Sequence, residues 1–172
     1  SPAADTATPL MALGAAVLAA DSNGTREIPA ESLFVGPGKT ALREGELLTA
    51  ILIPTMPIRA GSSFQRCTRT AMDIAVVNCA AFVQLDENES VIDARIALGA
   101  VGPTPLRAVS AEHHLKGQKL TSDITVAAAA FAADDAKPID DVRASAIYRK
   151  DMVRVLTQRA IDNAFQRARR EA

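Results

Sequence analysis

Two apolar runs, Ala75 to Leu85 and Val91 to Val101, are separated only by the polar turn Asp86-Glu87-Asn88-Glu89. Long runs of this kind joined by a short turn read as neighbouring antiparallel strands, and they must be covered on at least one face. A third strand candidate, Ser63 to Thr70, precedes them. Beyond Val101 the pattern turns helical. Thr104-Pro105 predicts an N-cap and first helical residue for a helix ending near Gly117, and Thr121-Ser122 opens a second helix through the alanine run Ala127 to Ala130. A third and longest helix begins around Ser145, with Tyr148, Met152, Val155, Leu156, Ala160 and Ala164 at helical spacing. The expectation is an α+β fold in which an antiparallel sheet of about three or four strands packs against about three helices.

The region before this sheet has its own pattern. A short helix fits Asp5 to Leu13, with Pro9 in its first turns and Gly14 just past its end. Ala15 to Ala20, the turn Asp21-Ser22-Asn23-Gly24 and Thr25 to Ile28 read as a hairpin. Leu47 to Ile53 is apolar enough for a buried strand and stops at Pro54, so Pro54 to Gly61 is the expected domain boundary. The opening Ser1-Pro2-Ala3-Ala4-Asp5 reads as the middle of a longer chain.

Composition removes several classes of function. A chain of 172 residues, 48% hydrophobic, can bury a sizeable core. Its formal charge of −1, with both signs scattered, creates no field for nucleic acid or an anionic membrane, and one Tyr with no Trp gives no row of rings on which bases could stack. No apolar run approaches the roughly 20 residues that span a bilayer, and no leader pattern opens the chain, so a cytoplasmic protein is expected. Cys67 and Cys79 are too few for a disulfide scaffold or for the thiolates of an iron-sulfur cluster, and they read as small buried hydrophobes.

Most site-like features have an ordinary explanation. Gly38-Lys39-Thr40 looks like the end of a phosphate-binding loop, but that pattern requires a glycine where this chain has Leu33, so a plain turn is expected. His113-His114 are neighbours that point in different directions on a helix and cannot share a ligand, and they read as a solvent-facing pair near a helix C-terminus. With no other histidine, Ser-His-Asp and Cys-His hydrolase chemistry has no support. Tyr148 and Met152 read as core packing. The segment Phe64-Gln65-Arg66-Cys67-Thr68-Arg69-Thr70-Ala71-Met72-Asp73 admits two readings, a strand edge protected by charge or a ligand-facing loop.

Taken in order, Ser1-Pro2-Ala3-Ala4-Asp5-Thr6, Phe34 to Thr40, Glu46-Leu47-Leu48 with Ile53-Pro54, Arg69 to Ala75, Ala94 to Val101, Pro103 to Ala108 and Asp141 to Ser145 with Tyr148-Arg149 resemble successive motifs of one family. That family is the FAD-binding medium (flavoprotein) subunit of molybdenum hydroxylases, of the aerobic carbon monoxide dehydrogenase and xanthine dehydrogenase type. The resemblance implies that residues 1–57 are the C-terminal remainder of the FAD-binding domain and residues 58–172 the C-terminal domain. It implies FAD as cofactor, with the glycine-rich segments that cradle its diphosphate lying outside this sequence. Partners would be a molybdopterin-binding large subunit and an iron-sulfur small subunit, which hold the molybdenum cofactor and the [2Fe-2S] clusters, together with the missing N-terminal FAD-binding portion. Electrons would pass from the clusters through flavin to an external acceptor.

Residue by residue, the resemblance makes Asp5 a hydrogen-bond partner of FAD and Leu48 a contact on its flavin side. The basic residue approaching FAD maps to Arg66, or the position falls on Gln65 if the alignment slips by one. The loop Arg69 to Asp73 would border the flavin ring. Members that reduce NAD carry an aromatic residue where this chain has Pro37, which points to the carbon monoxide dehydrogenase-like branch. The alternative from the residues alone is a non-enzymatic α+β module that docks a partner without a cofactor.

Overall fold

A computed structural model of the chain describes residues 1–170. In chain order the elements are α1 (Ala7–Ala12), β1 (Ala16–Asp21), β2 (Gly24–Pro29), α2 (Ala30–Leu33), β3 (Phe34–Gly36), β4 (Lys39–Thr40), β5 (Leu47–Leu52), β6 (Ala60–Cys67), β7 (Val77–Leu85), β8 (Val91–Gly99), β9 (Leu106–Arg107), α3 (Val109–Leu115), α4 (Ser122–Asp135) and α5 (Ala146–Arg170). They form a four-stranded antiparallel sheet in the order β6-β7-β8-β9, a three-stranded sheet in the order β2-β1-β5, and the small hairpin β3-β4. The α+β expectation holds, with four strands in the larger sheet.

Both faces of the larger sheet are covered, which explains why β7 is apolar almost throughout. Its alternate residues Val77, Cys79, Ala81, Val83 and Leu85 join Ile96 and Leu98 of β8 beneath α3, α4 and α5. The opposite residues Ala80 and Phe82, with Ala97, pack against Met11 and Ala12 of α1. The first region therefore contributes a helix to the core of the second. Each fully buried Val, Leu, Ile or Phe in such a core contributes about 1.5–3 kcal/mol.

Several local expectations change. Of the expected strand Leu47 to Ile53, residues Leu47–Leu52 form β5, but β5 is exposed rather than buried, with Leu47 72% and Leu48 43% accessible. β5 is an edge strand, and neighbours on its opposite faces, Leu47 with Leu48 and Ile51 with Leu52, are all exposed, so neither face of the strand is covered among the described residues. The first strand of the larger sheet runs Ala60–Cys67, displaced toward the N-terminus from the expected Ser63 to Thr70. Thr104-Pro105 does not open a helix. Leu106 and Arg107 instead pair with Leu98 and Ala97 as β9, and α3 starts only at Val109, where Glu112 grips Arg107 through both carboxylate oxygens.

The second and third helices begin as expected. The Thr121 side chain accepts the Ile124 N–H, and the Ser145 hydroxyl accepts the Tyr148 N–H. The buried stripe of α5 is rotated from the expected one: Val153, Leu156, Thr157, Ala160, Ile161 and Ala164 face inward while Tyr148 is 45% exposed. Arg149 takes the inward position because it has buried carbonyls to reach. His113 is exposed as expected, but His114 is half-buried, its ring 5.0 Å from that of Phe131. Cys79 is fully buried beside Thr157 and its thiol is pushed up to about 12 by burial, whereas Cys67 is only half-buried, near the Tyr148 hydroxyl.

Candidate functional site

The N-terminal segment crosses the ends of β7 and β8 and is fastened there. The Ala100 N–H donates to the Pro2 carbonyl at 2.7 Å, while the Ala100 carbonyl accepts from Arg149 Nη1 at 2.9 Å. Ala100 has φ +63, a conformation a non-glycine residue adopts only when its surroundings impose it. The same Arg149 nitrogen donates to the Val76 carbonyl at 2.7 Å, and Nη2 lies 2.7 Å from Asp141 Oδ1. One buried guanidinium thus ties α5 to the start of β7 and to the turn that holds Pro2.

This anchoring delivers Asp5 to the end of β6. Asp5 Oδ2 accepts from Arg66 Nη1 at 2.5 Å, and Asp5 Oδ1 accepts from Asn78 Nδ2 at 3.2 Å. Arg66 Nη2 donates to the Ala71 carbonyl at 2.8 Å, which folds the following loop back on the strand. In that loop Arg69 Nε donates to Asp73 Oδ2 at 2.7 Å; this bond raises the Arg69 pKa and holds the Asp73 carboxyl below its ordinary range. Met72 at the tip is 96% exposed. The loop is stapled by one ion pair and by the Arg66–Ala71 hydrogen bond while its apolar tip stays open.

Two of the three expected site residues, Asp5 and Arg66, therefore meet. Strand alternation turns Gln65 away from them, toward the Ser63 hydroxyl at 3.3 Å. Leu48 stands on the other sheet, opposite Ala19 on β1. The sequence reading missed Asn78, Thr8 and Arg149. Two of them had a visible signal: Asn78 interrupts an apolar strand, and Arg149 sits at helical spacing from Val153, Leu156 and Ala160.

Among the described residues no group of three His, Cys, Asp or Glu side chains is placed to hold a metal, and no helix is long and apolar enough to cross a membrane. An open groove of about 490 Å³, lined by Met56, Ile58, Gly61 and Arg167, lies at the opposite end of β6 from Arg66 and has no cluster of reactive groups.

Residues 62–164 match the profile of the CO dehydrogenase flavoprotein C-terminal domain, and residues 1–56 match that of the FAD binding domain in molybdopterin dehydrogenase. The chain belongs to the CO dehydrogenase flavoprotein family. It is 33% identical to the glyceraldehyde dehydrogenase medium chain of Sulfolobus acidocaldarius over 92% of its own length and 56% of that protein's. It is 32% identical to the xanthine dehydrogenase FAD-binding subunit of Escherichia coli O157:H7, covering 96% of this chain and 57% of the relative. Among solved structures, carbon monoxide dehydrogenase from Hydrogenophaga pseudoflava superposes with a TM-score of 0.92 at 32% identity, over 97% of this chain and 58% of the other. The chain thus spans little more than half the length of the relatives it matches.

The family implies FAD, and the donor set at Asp5 and Arg66 fits part of it. A carboxylate offers about four acceptor positions and a guanidinium five donors. The contacts described use one position on each Asp5 oxygen and one hydrogen on each Nη of Arg66. Both side chains remain about one-third accessible, at 35% and 37%, so hydroxyls and carbonyls of a polar ligand have partners here. A diphosphate does not fit equally well. In Gly36-Pro37-Gly38, Gly36 ends β3 opposite Lys39 and only Pro37 and Gly38 form the exposed turn, which is a hairpin rather than a cradle of converging N–H groups.

Proposed function

We propose that this chain forms the flavin-side part of an FAD-binding electron-transfer subunit of a molybdenum hydroxylase-type oxidoreductase. The observation that carries the reading is the Asp5–Arg66 pair, which joins the two family segments at one half-open polar spot. When bound, FAD supplies the electron-carrying chemistry. Asp5 accepts hydrogen bonds from its hydroxyl groups. Arg66 provides fixed positive charge that favours the electron-rich form of the ring system, and Leu48 offers an apolar contact on the flavin side. The loop Arg69 to Asp73, held by its own ion pair, borders the ring.

In this reading electrons arrive from iron-sulfur clusters of a small subunit, and substrate is oxidised at a molybdenum cofactor in a large subunit. The family relationship supports assigning iron and molybdenum to partners. The division into residues 1–57 and 58–172 follows the covalent linker, whereas α1 crosses it to pack on β7 and β8. A cytoplasmic location is the reading we favour, since Cys79 is used as a packing residue and both cysteines are free.

The test is Asp5→Ala in the complete subunit, with FAD binding followed by quenching of flavin fluorescence. Loss of a hydrogen bond to a charged group should weaken binding by about 1.5–3 kcal/mol. An affinity equal to that of the unaltered subunit would refute the role given to Asp5.

A further inference from the structure

We propose that Asn78 is a positioning residue for this site: its amide aims the Asp5 carboxylate at the cofactor. The inference rests on the reading of Asp5 as an FAD contact. Asn78 is fully buried in β7, between Val77 and Cys79. The sheet itself does not require an amide there, because a well-packed apolar side chain in an apolar strand needs no partner whereas a buried amide must find one.

The partners found are specific. An ionised carboxylate only accepts, so the Asn78 amide nitrogen must be the atom that faces Asp5 Oδ1, at 3.2 Å. Asn78 Oδ1 is then left to accept the Thr8 hydroxyl of α1 at 2.9 Å. The reverse orientation would set two acceptors against each other, so the chemistry fixes which way the amide points.

Space for the amide comes from the neighbouring strand. Gly99 is the cross-strand partner of Asn78, and a Cβ there would stand 2.2 Å from Asn78 Oδ1. Four positions, Asp5, Thr8, Asn78 and Gly99, are thus matched to one another. With Asn78 on Oδ1 and Arg66 on Oδ2, the carboxylate is pinned at both oxygens and its remaining lone pairs have a set direction.

The experiment compares FAD dissociation constants of the complete subunit by fluorescence quenching in Asn78→Asp, Asn78→Ala, Asp5→Ala and the Asp5→Ala/Asn78→Ala double variant. Asn78→Asp keeps the shape and the acceptor for Thr8 but replaces the donor facing Asp5 with a second anion, and should weaken FAD binding at least about tenfold. Asn78→Ala should weaken binding when Asp5 is present and change it by less than about twofold when Asp5 is Ala, because coupled residues are non-additive. A merely structural residue would lower the melting temperature in both backgrounds without that coupling. In this chain alone, the Asn78 side-chain NH2 resonances should shift in Asp5→Ala. An Asp5→Ala subunit with full affinity overturns the Asp5 reading and this inference together. A weakened Asp5→Ala with unchanged Asn78→Asp, or with independent effects in the double variant, overturns the role of Asn78 alone.

Discussion

Asp141 Oδ1 accepts the N–H groups of Arg143 and Ala144 at 2.8 and 3.1 Å and lies 2.7 Å from Arg149 Nη2. The Arg143 N–H is the largest influence, and together these groups hold the Asp141 carboxyl at about 2, below its ordinary 3.8. A depressed carboxylate stabilises the fold wherever it is ionised in both states, and that stabilisation disappears as the folded form takes up its proton. Asp141→Asn should therefore melt lower than the unaltered protein at neutral pH. The gap should persist down to about pH 4 and close as pH falls toward about 2, read by circular dichroism melts across that range. A gap independent of pH would mean that the charge of Asp141 is not what matters. The partner of Asp141 also shows what sequence conceals at this scale. Asp5 and Arg66 were legible only through resemblance, and their pairing spans 61 positions. Arg149 and Asn78 were visible as polar residues out of place, but each has a partner 73 positions away, and no local pattern names it.

At the level of elements, α5 lies so close to β6 and β7 that side-chain size decides the packing. A Cβ added at Gly61 would stand 2.2 Å from the Ala164 carbonyl oxygen and 2.5 Å from the Ala168 nitrogen, both backbone atoms that can move only with the helix. Gly61→Ala should cost about 1–3 kcal/mol, the range for overpacking. Leu156, 4% exposed on the same helix, should cost about 2–5 kcal/mol on truncation to Ala. Urea unfolding of both variants measures these losses; values under about 0.5 kcal/mol, as at surface sites, would mean that α5 does not sit as described. The strands β7 and β8 were readable because their apolar runs and the intervening turn admit little else. β9 was not, since its two residues carry no periodicity and its pairing is decided by β8 and Glu112. The exposure of β5 was unreadable for another reason: apolar composition shows that a strand can be covered, but not what covers it.

The molecule as a whole has two functional requirements that its residues meet unequally. Asp5, Asn78 and Arg66 form a hydrogen-bonded polar cluster at the junction of the N-terminal segment and the larger sheet, the place where the proposed reading has a polar ligand oriented. Among the described residues, no comparable arrangement offers itself for a diphosphate. Two phosphates are held by several backbone N–H donors converging from glycine-rich turns or helix starts. In this chain Gly38 lies in an exposed hairpin turn with Lys39 opening the strand after it, and α1, only six residues long, has its N-terminal region occupied by Asp5, whose negative charge repels phosphate. The chain by itself should therefore fail to retain FAD through gel filtration. When a segment carrying a glycine-rich phosphate cradle is supplied, joined to this chain or added as a second polypeptide, binding should appear. It should then depend on Asp5 and Arg66, because those residues orient the part of the cofactor that the cradle does not hold. Flavin fluorescence titration of the chain alone, of the supplied segment alone and of the two combined measures each step. Stoichiometric binding by this chain alone would show that its phosphate site lies elsewhere in the described residues, and binding by the combination that ignored Asp5→Ala would remove the site from the end of β6.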